Sequence, residues 1–172
     1  MIMRRGVIGL AIVNSVVLGV CVGLLIAVYP CFADDGAKLT GIWKLVTYGV
    51  EIQATGQKEP LFGQNATGYL ILTPEGRMMA IITAGGRTPP KTTQDRADLL
   101  NSMVAYTGMY RVEGDKWIVK IDVAWNPGYL AEQTRFFKVD GDRLDVLTAW
   151  AINPNWPEKG MQRGILTFER VK

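Results

Sequence analysis

Between residues 43 and 171 the chain breaks into short β-rich runs whose connectors alternate in length, and that alternation restricts the folds open to it. The runs occupy 43–52, 67–73, 77–83, 105–112, 116–124, 134–139, 143–150 and 164–171. Tight turns join three pairs of them: Pro74-Glu-Gly76, Glu113-Gly-Asp115 and Asp140-Gly-Asp142. Long connectors, at 53–66, 84–104, 125–133 and 151–163, fall at the alternate joints. In an up-and-down meander every second joint lies at the same end, so tight turns pinch one end and long loops rim the other. Closing eight antiparallel strands removes exposed edges and leaves an interior that holds side chains or one small ligand. The expected fold is all-β, an eight-stranded antiparallel up-and-down barrel with one short helix after the third strand. That helix opens at Thr92-Thr-Gln-Asp95, a capping-box pattern, and runs through Ala97, Leu99, Leu100 and Met103 to about 104.

Ahead of the barrel, Met1-Ile-Met-Arg-Arg5 precedes an uncharged stretch from Gly6 to Ala33, which ends just before Asp34-Asp35. A basic n-region, an apolar h-region, and Cys31 and Ala33 at the −3 and −1 positions make the anatomy of a secretory signal. The stretch exceeds the roughly 7–15 residues of a signal core and approaches the ~20 that span a bilayer, so an uncleaved anchor stays open. The expected organisation is a signal peptide or signal anchor over 1–33 and a barrel domain over 34–172. Under either reading Arg4 and Arg5 stay in the cytoplasm and the folded part is exported. The barrel is then periplasmic or secreted, or anchored to the inner membrane and facing away from the cytoplasm.

Both cysteines, Cys21 and Cys31, lie in the leader, and neither follows the small residue that a lipid-attachment motif wants. Without a thiol beyond the leader no disulfide framework can form, and without any histidine no imidazole chemistry or imidazole metal site is available. No cofactor and no metal are expected. The formal charge of +3 includes Arg4 and Arg5; without them 17 basic residues face 16 acidic ones. A surface so balanced does not supply the clustered basic face that nucleic acid requires.

Several stretches carry a resemblance. Gly41-Ile-Trp43 opens the first strand, Phe62-Gly-Gln-Asn-Ala-Thr-Gly-Tyr69 runs on to Met78, and Tyr106-Thr-Gly-Met-Tyr110, Asn126-Pro127 and Arg135-Phe-Phe-Lys138 through Leu144 follow in order. Together they resemble the bacterial and fungal lipocalin-like domain family over nearly the whole chain after the leader. The resemblance implies a calycin-type barrel whose family members are mostly of unknown function. Because a fold does not fix function, it leaves the ligand unnamed.

Two-residue alternation assigns the inward faces. With Trp43 inward at the closed end, Leu45 and Thr47 share its face, and Val46, Tyr48 and Val50 form an apolar outer strip, covered by the helix or by a homodimer contact. On the sixth strand Lys138 belongs outside, which turns Arg135, Phe137 and Val139 inward. A buried guanidinium must be answered by an internal partner, by water or by a bound anion. The same parity turns in Tyr106 and Tyr110, then Trp117, Val119, Ile121 and Val123, then Leu144, Val146, Thr148 and Trp150. Arg170 reaches the closed end near Trp43, where the resemblance implies an arginine stacked on the tryptophan of Gly-x-Trp. Phe62, Trp125, Tyr129 and Trp156 belong to the long-loop rim. The expected ligand-binding set is therefore Arg135, Phe137, Tyr106, Tyr110, Trp125, Tyr129, Thr148 and Trp150, with Trp43 and Arg170 structural and no catalytic residue assigned. Each of these side chains also reads as ordinary barrel filling or loop packing.

Mostly apolar walls with a few hydroxyls suit a small apolar or amphipathic guest, so the first functional reading is an exported binding protein without catalysis. A second is a small calycin-type isomerase, cyclase or decarboxylase, with Arg135 holding an acid and Tyr106, Tyr110, Glu132 or Glu51 moving protons. A third is a ligand-free envelope interaction module using the strip at Val46, Tyr48 and Val50.

Overall fold

The computed structural model describes residues 33–172. The leader lies outside the described residues, apart from its last position. Helix α1 (Ala33–Leu39) leads into β1 (Gly41–Ile52), followed by β2 (Lys58–Pro60), β3 (Thr67–Leu72), β4 (Arg77–Thr83), α2 (Thr93–Asn101), β5 (Met103–Glu113) and β6 (Lys116–Ala124). Then come β7 (Glu132–Asp140), β8 (Arg143–Thr148), β9 (Ala151–Ile152) and β10 (Met161–Arg170). Strands β3 to β8 pair in sequence order, β8 pairs β10, and β10 pairs β1, which returns to β3. Eight antiparallel strands thus close into a ring, as the connector pattern requires. The pattern does not give β2 and β9, two short ribbons in the long connectors that pair with β1 and β10 at the long-loop end.

The tight turns need residues that tolerate left-handed backbone, and Gly76, Gly114 and Gly141 supply it with φ of 86, 62 and 57°. Helix α2 begins as its sequence predicts. Thr92 Oγ1 accepts from Asp95 N at 3.1 Å, and Asp95 Oδ2 accepts from Thr92 N at 2.9 Å. It does not cover a barrel wall. None of its residues is buried, and it is tied to the rim, where Trp125 Nε1 donates to the Leu100 carbonyl at 3.2 Å and Arg87 Nη2 donates to that of Leu99 at 3.0 Å.

Two β-bulges overturn part of the inward assignment. The β1–β10 register passes from Leu45 opposite Phe168 to Thr47 opposite Thr167, so Val46 is an extra residue and the parity of β1 flips beyond it. Tyr48 and Val50 turn inward and Thr47 outward, so the strip at Val46, Tyr48 and Val50 does not exist. In β6 the pairing passes from Ile121 opposite Gly108 to Val123 opposite Thr107. Asp122 is the extra residue there, and Val123 lies 63% exposed instead of facing in. The outer wall does carry an apolar surface, but elsewhere: Ile42, Ile71 and Met79 form one cross-strand row, with Tyr69 and Ile81 in the next.

The closed end is built on Trp43, which is completely buried and donates from Nε1 to the Leu39 carbonyl at 2.8 Å. Arg170, its register partner on β10, places its guanidinium carbon 4.1 Å above the indole ring. The same guanidinium donates from Nη1 to the Thr40 carbonyl at 2.8 Å and from Nη2 to that of Lys38, fastening the entry of the chain to its last strand. Gly41 is required on two counts. Its φ is +141°, and a Cβ there would stand 2.6 Å from Arg170 Nη1. The Gly-x-Trp opening of β1 is therefore half of a clasp whose other half is Arg170.

Cation–π stacking of this kind is worth ~0.5–2 kcal/mol, and charged hydrogen bonds add to it. Arg170→Ala is expected to lower stability by about 2–3 kcal/mol, a melting shift of roughly 5–10 °C, and Gly41→Ala by a comparable amount. Urea and thermal unfolding followed by circular dichroism measure both; an Arg170→Ala barrel that melts with the wild type would remove the clasp.

Candidate ligand cavity

The buried core packs most closely about the tryptophan at the closed end. Leu39, Trp43, Leu45, Leu72, Leu144 and Phe168 pack there. Toward the long loops the interior opens into a cavity of about 390 Å³. Its apolar walls are formed by Leu70, Met78, Ala80, Ile82, Val104, Trp117, Val146 and Leu166. Its mouth lies among residues 127–131 and 153–154, with Trp150 at the edge. Polar side chains share the lining: Tyr48, Tyr106, Tyr129, Gln133, Arg135, Thr148 and Gln162.

Of the eight expected ligand-binding residues, five line this space: Arg135, Tyr106, Tyr129, Thr148 and Trp150. Phe137 does not, because it lies one inward position nearer the closed end, where its ring meets Trp117 at 5.6 Å. Tyr110 is lower still, and its hydroxyl donates to the Thr73 carbonyl at 3.0 Å beside a tight turn. Trp125 stands outside the cavity and packs on Tyr129, with centroids 4.4 Å apart. It supports the rim without lining the cup. Phe62 and Trp156, also read as rim residues, pack against one another at 5.9 Å, and Phe62 meets Tyr48 edge-on at 5.6 Å.

Arg135 is 8% exposed, the one buried charged residue among the described residues. It lies on β7 between Trp117 on β6 and Thr148 on β8. Its Nη1 donates to the Thr134 carbonyl at 3.0 Å, and its Nη2 donates to Gln133 Oε1 and, at 3.4 Å, to the Tyr106 hydroxyl. Gln133 is itself aimed by a bond from its Nε2 to the Tyr129 carbonyl at 3.1 Å. Among the described residues no carboxylate pairs with Arg135. Glu132 lines the mouth, but its carboxylate is drawn outward to Arg111 at 3.2 Å. Asp122 and Asp145 are bound outside the barrel, to Arg77 at 2.6 Å and Arg143 at 2.8 Å.

The other polar groups divide into engaged and unengaged. The Thr148 hydroxyl accepts from Gly164 N at 2.7 Å and donates to the Ala149 carbonyl at 3.1 Å, so it is committed to backbone. Tyr129 donates to Asn153 Oδ1 at 2.8 Å, joining the two mouth loops. Trp150 is held at the rim beneath Arg163, whose guanidinium carbon is 4.6 Å from its ring and whose Nη2 is fixed by Glu51 at 2.8 Å. Among the described residues, the Trp117 indole N–H and Gln162 Oε1 are buried without a partner, although both side chains line the cavity. Burial pushes the Tyr48 phenol well above the usual tyrosine range, with Tyr129 and Tyr106 adding to the rise and Arg135 opposing it. Tyr129 is raised too, again mainly by burial.

Sequence parity missed Tyr48, Val50, Gln133 and Gln162. For β1 a signal was present: Trp43 and Leu45 are apolar on one parity and Tyr48 and Val50 on the other, which is how a strand with one extra residue reads.

A closed eight-stranded barrel with a tryptophan-sealed floor and an apolar cup behind a loop rim defines a lipocalin-like fold, of the kind that generally binds small ligands. The family model described as a lipocalin-like domain matches residues 40–171, and the chain belongs to that family. No curated protein matches the chain at a significant level.

The buried phenols give a pH dependence. An unfolded tyrosine ionises near pH 10, whereas Tyr48 and Tyr129 hold their protons beyond it in the folded state. The folded state therefore binds more protons there, and its stability is intact below about pH 10 and falls as the pH rises further. Melting temperatures between about pH 8 and 11 should stay level at first and then drop, and Tyr48→Phe should make that drop shallower. Equal alkaline slopes in the two proteins would count against a protonated Tyr48.

Proposed function

We propose that this protein is exported and, without catalysing a reaction, holds a small apolar or amphipathic molecule in its barrel. The observation that carries the reading is the cavity of about 390 Å³, which opens among the long loops and combines apolar walls with a few polar side chains. Small-molecule sites commonly occupy ~300–1,000 Å³ and combine such walls with a few polar groups. The carboxylates available to an acid–base mechanism are occupied elsewhere: Glu132 is bound by Arg111 and Glu51 by Arg163. Tyr110 serves the closed end. These engagements favour binding over catalysis. Export is supported by the basic start, apolar core and small-residue end of residues 1–33.

The binding reading is tested on the barrel purified without denaturant. Native mass spectrometry should find a noncovalent adduct, and after its removal the neutral fluorophore N-phenylnaphthylamine should enter the cup. Trp150→Ala, which takes away part of the rim, is expected to weaken that binding about tenfold. A barrel that carries no adduct and takes up no fluorophore would overturn the reading. Export is checked separately, by expressing the full chain and recovering the barrel outside the cytoplasm. An intact mass beginning at Asp34 would mark cleavage, and retention of the whole chain in the membrane would mark an anchor. A barrel found only in the cytoplasm would refute export.

A further inference from the structure

We propose that the cup selects monocarboxylic acids with an apolar body, taking the carboxylate between the Arg135 guanidinium and the Trp117 indole N–H. This rests on the binding reading above and names the chemical class of the guest. Three observations converge on it. Arg135 is buried in an apolar wall, and its acceptors are all neutral oxygens, from Thr134, Gln133 and Tyr106. Its inward register neighbour Trp117 is 1% exposed, lines the same cavity and leaves Nε1 without an acceptor among the described residues. Glu132, the one carboxylate in the cavity lining among the described residues, is bound to Arg111, and Glu51 is bound to Arg163, so neither answers the charge.

A buried cation whose acceptors are all neutral, with an unpartnered donor on the paired strand, is an arrangement that a bound monoanion would satisfy. The charge count selects the head group. One buried guanidinium balances one negative charge, whereas a phosphate dianion would leave a charge unanswered in an apolar cup. A neutral carbonyl would satisfy hydrogen bonds but not the charge. A carboxylate offers two oxygens to two donor groups, and its body then extends toward Leu70, Met78 and Val104.

The experiment uses the barrel at residues 33–172, which among the described residues holds a buried core running from Leu39 to Phe168. Decanoate and decanol are titrated into it calorimetrically near neutral pH. The two probes share a tail and differ in the charged head. Hydrogen bonds to a charged group are worth ~1.5–3 kcal/mol, so decanoate should bind about 10–100-fold more tightly than decanol. Arg135→Gln should bring the two affinities within about threefold, and Trp117→Phe should lower decanoate affinity about three- to tenfold. Thermal melts establish that each variant is folded, and the wild-type comparison stands without them. Decanol binding as tightly as decanoate, or a preference that survives Arg135→Gln, overturns the proposal. In either case the cup remains a binding site and only the carboxylate assignment falls; if neither decanoate, decanol nor N-phenylnaphthylamine binds, both readings fall.

Discussion

Everything in this barrel depends on the pairing of β1 with β10, because that ladder turns a sheet into a closed wall. It runs from Trp43 opposite Arg170 to Ile52 opposite Gln162, nearly the full length of both strands. A closed wall has no edge to expose and encloses a defined interior. The ladder also decides what the two ends become. At one end it sets Arg170 over Trp43, and the guanidinium then caps the carbonyls of Lys38 and Thr40. At the other end it continues past the tight-turn half of the sheet into the ribbons β2 and β9, which raise the wall around the mouth.

The bulges are the second determinant. A strand of regular alternation would carry the face of Trp43 along β1 unchanged and present Thr47 to the interior. The extra residue at Val46 instead lets one strand seal the floor with Trp43 and Leu45 and then line the cup with Tyr48 and Val50. Gly164 on the neighbouring strand packs against the inward face so formed. A Cβ there would stand 3.0 Å from Thr148 Cγ2 and 3.2 Å from Leu166 Cδ1 and would touch the Tyr48 ring at 3.4 Å, so a glycine relieves the crowding where these side chains meet. Local backbone irregularity, and not a special side chain, thus moves a tyrosine into the cavity.

Much of this was legible in the chain. Strand number, the alternation of tight and long connectors, the helix cap at Thr92 and the inward set Arg135, Leu144, Val146 and Thr148 follow from turn chemistry and two-residue periodicity. Those signals are local. Phe137 and Tyr110 face inward as parity says, yet lie below the cup, since parity reports a face and not a depth. Trp125 is on the rim but turned to Tyr129 and α2, a matter of loop packing that no period encodes. Gln133 and Gln162 carry no pattern at all; they matter through their partners, the Tyr129 carbonyl and Arg135 for one and the Trp156 carbonyl for the other. The bulge at Asp122 left no apolar signature either, because Val123 is as apolar as the inward residues before it.

The guanidinium in the cup wall is hard to explain as packing. Holding a charge at that depth without a counter-charge costs several kcal/mol, and an apolar side chain of similar size would fill the same volume without that cost. The structure also goes beyond tolerating Arg135, because it orients it. Tyr129 binds Asn153 across the mouth, the Tyr129 carbonyl aims Gln133, and Gln133 with Tyr106 aims Arg135. This is one hydrogen-bonded chain from the rim loops to Arg135, and it ties the placement of the mouth to the direction in which the guanidinium points. An arginine serving only to satisfy itself would need no such chain, since a surface carboxylate or solvent would do. Its position on the cavity wall, among apolar side chains and below the rim loops, is where the head of an amphipathic molecule would lie if its tail followed the apolar walls.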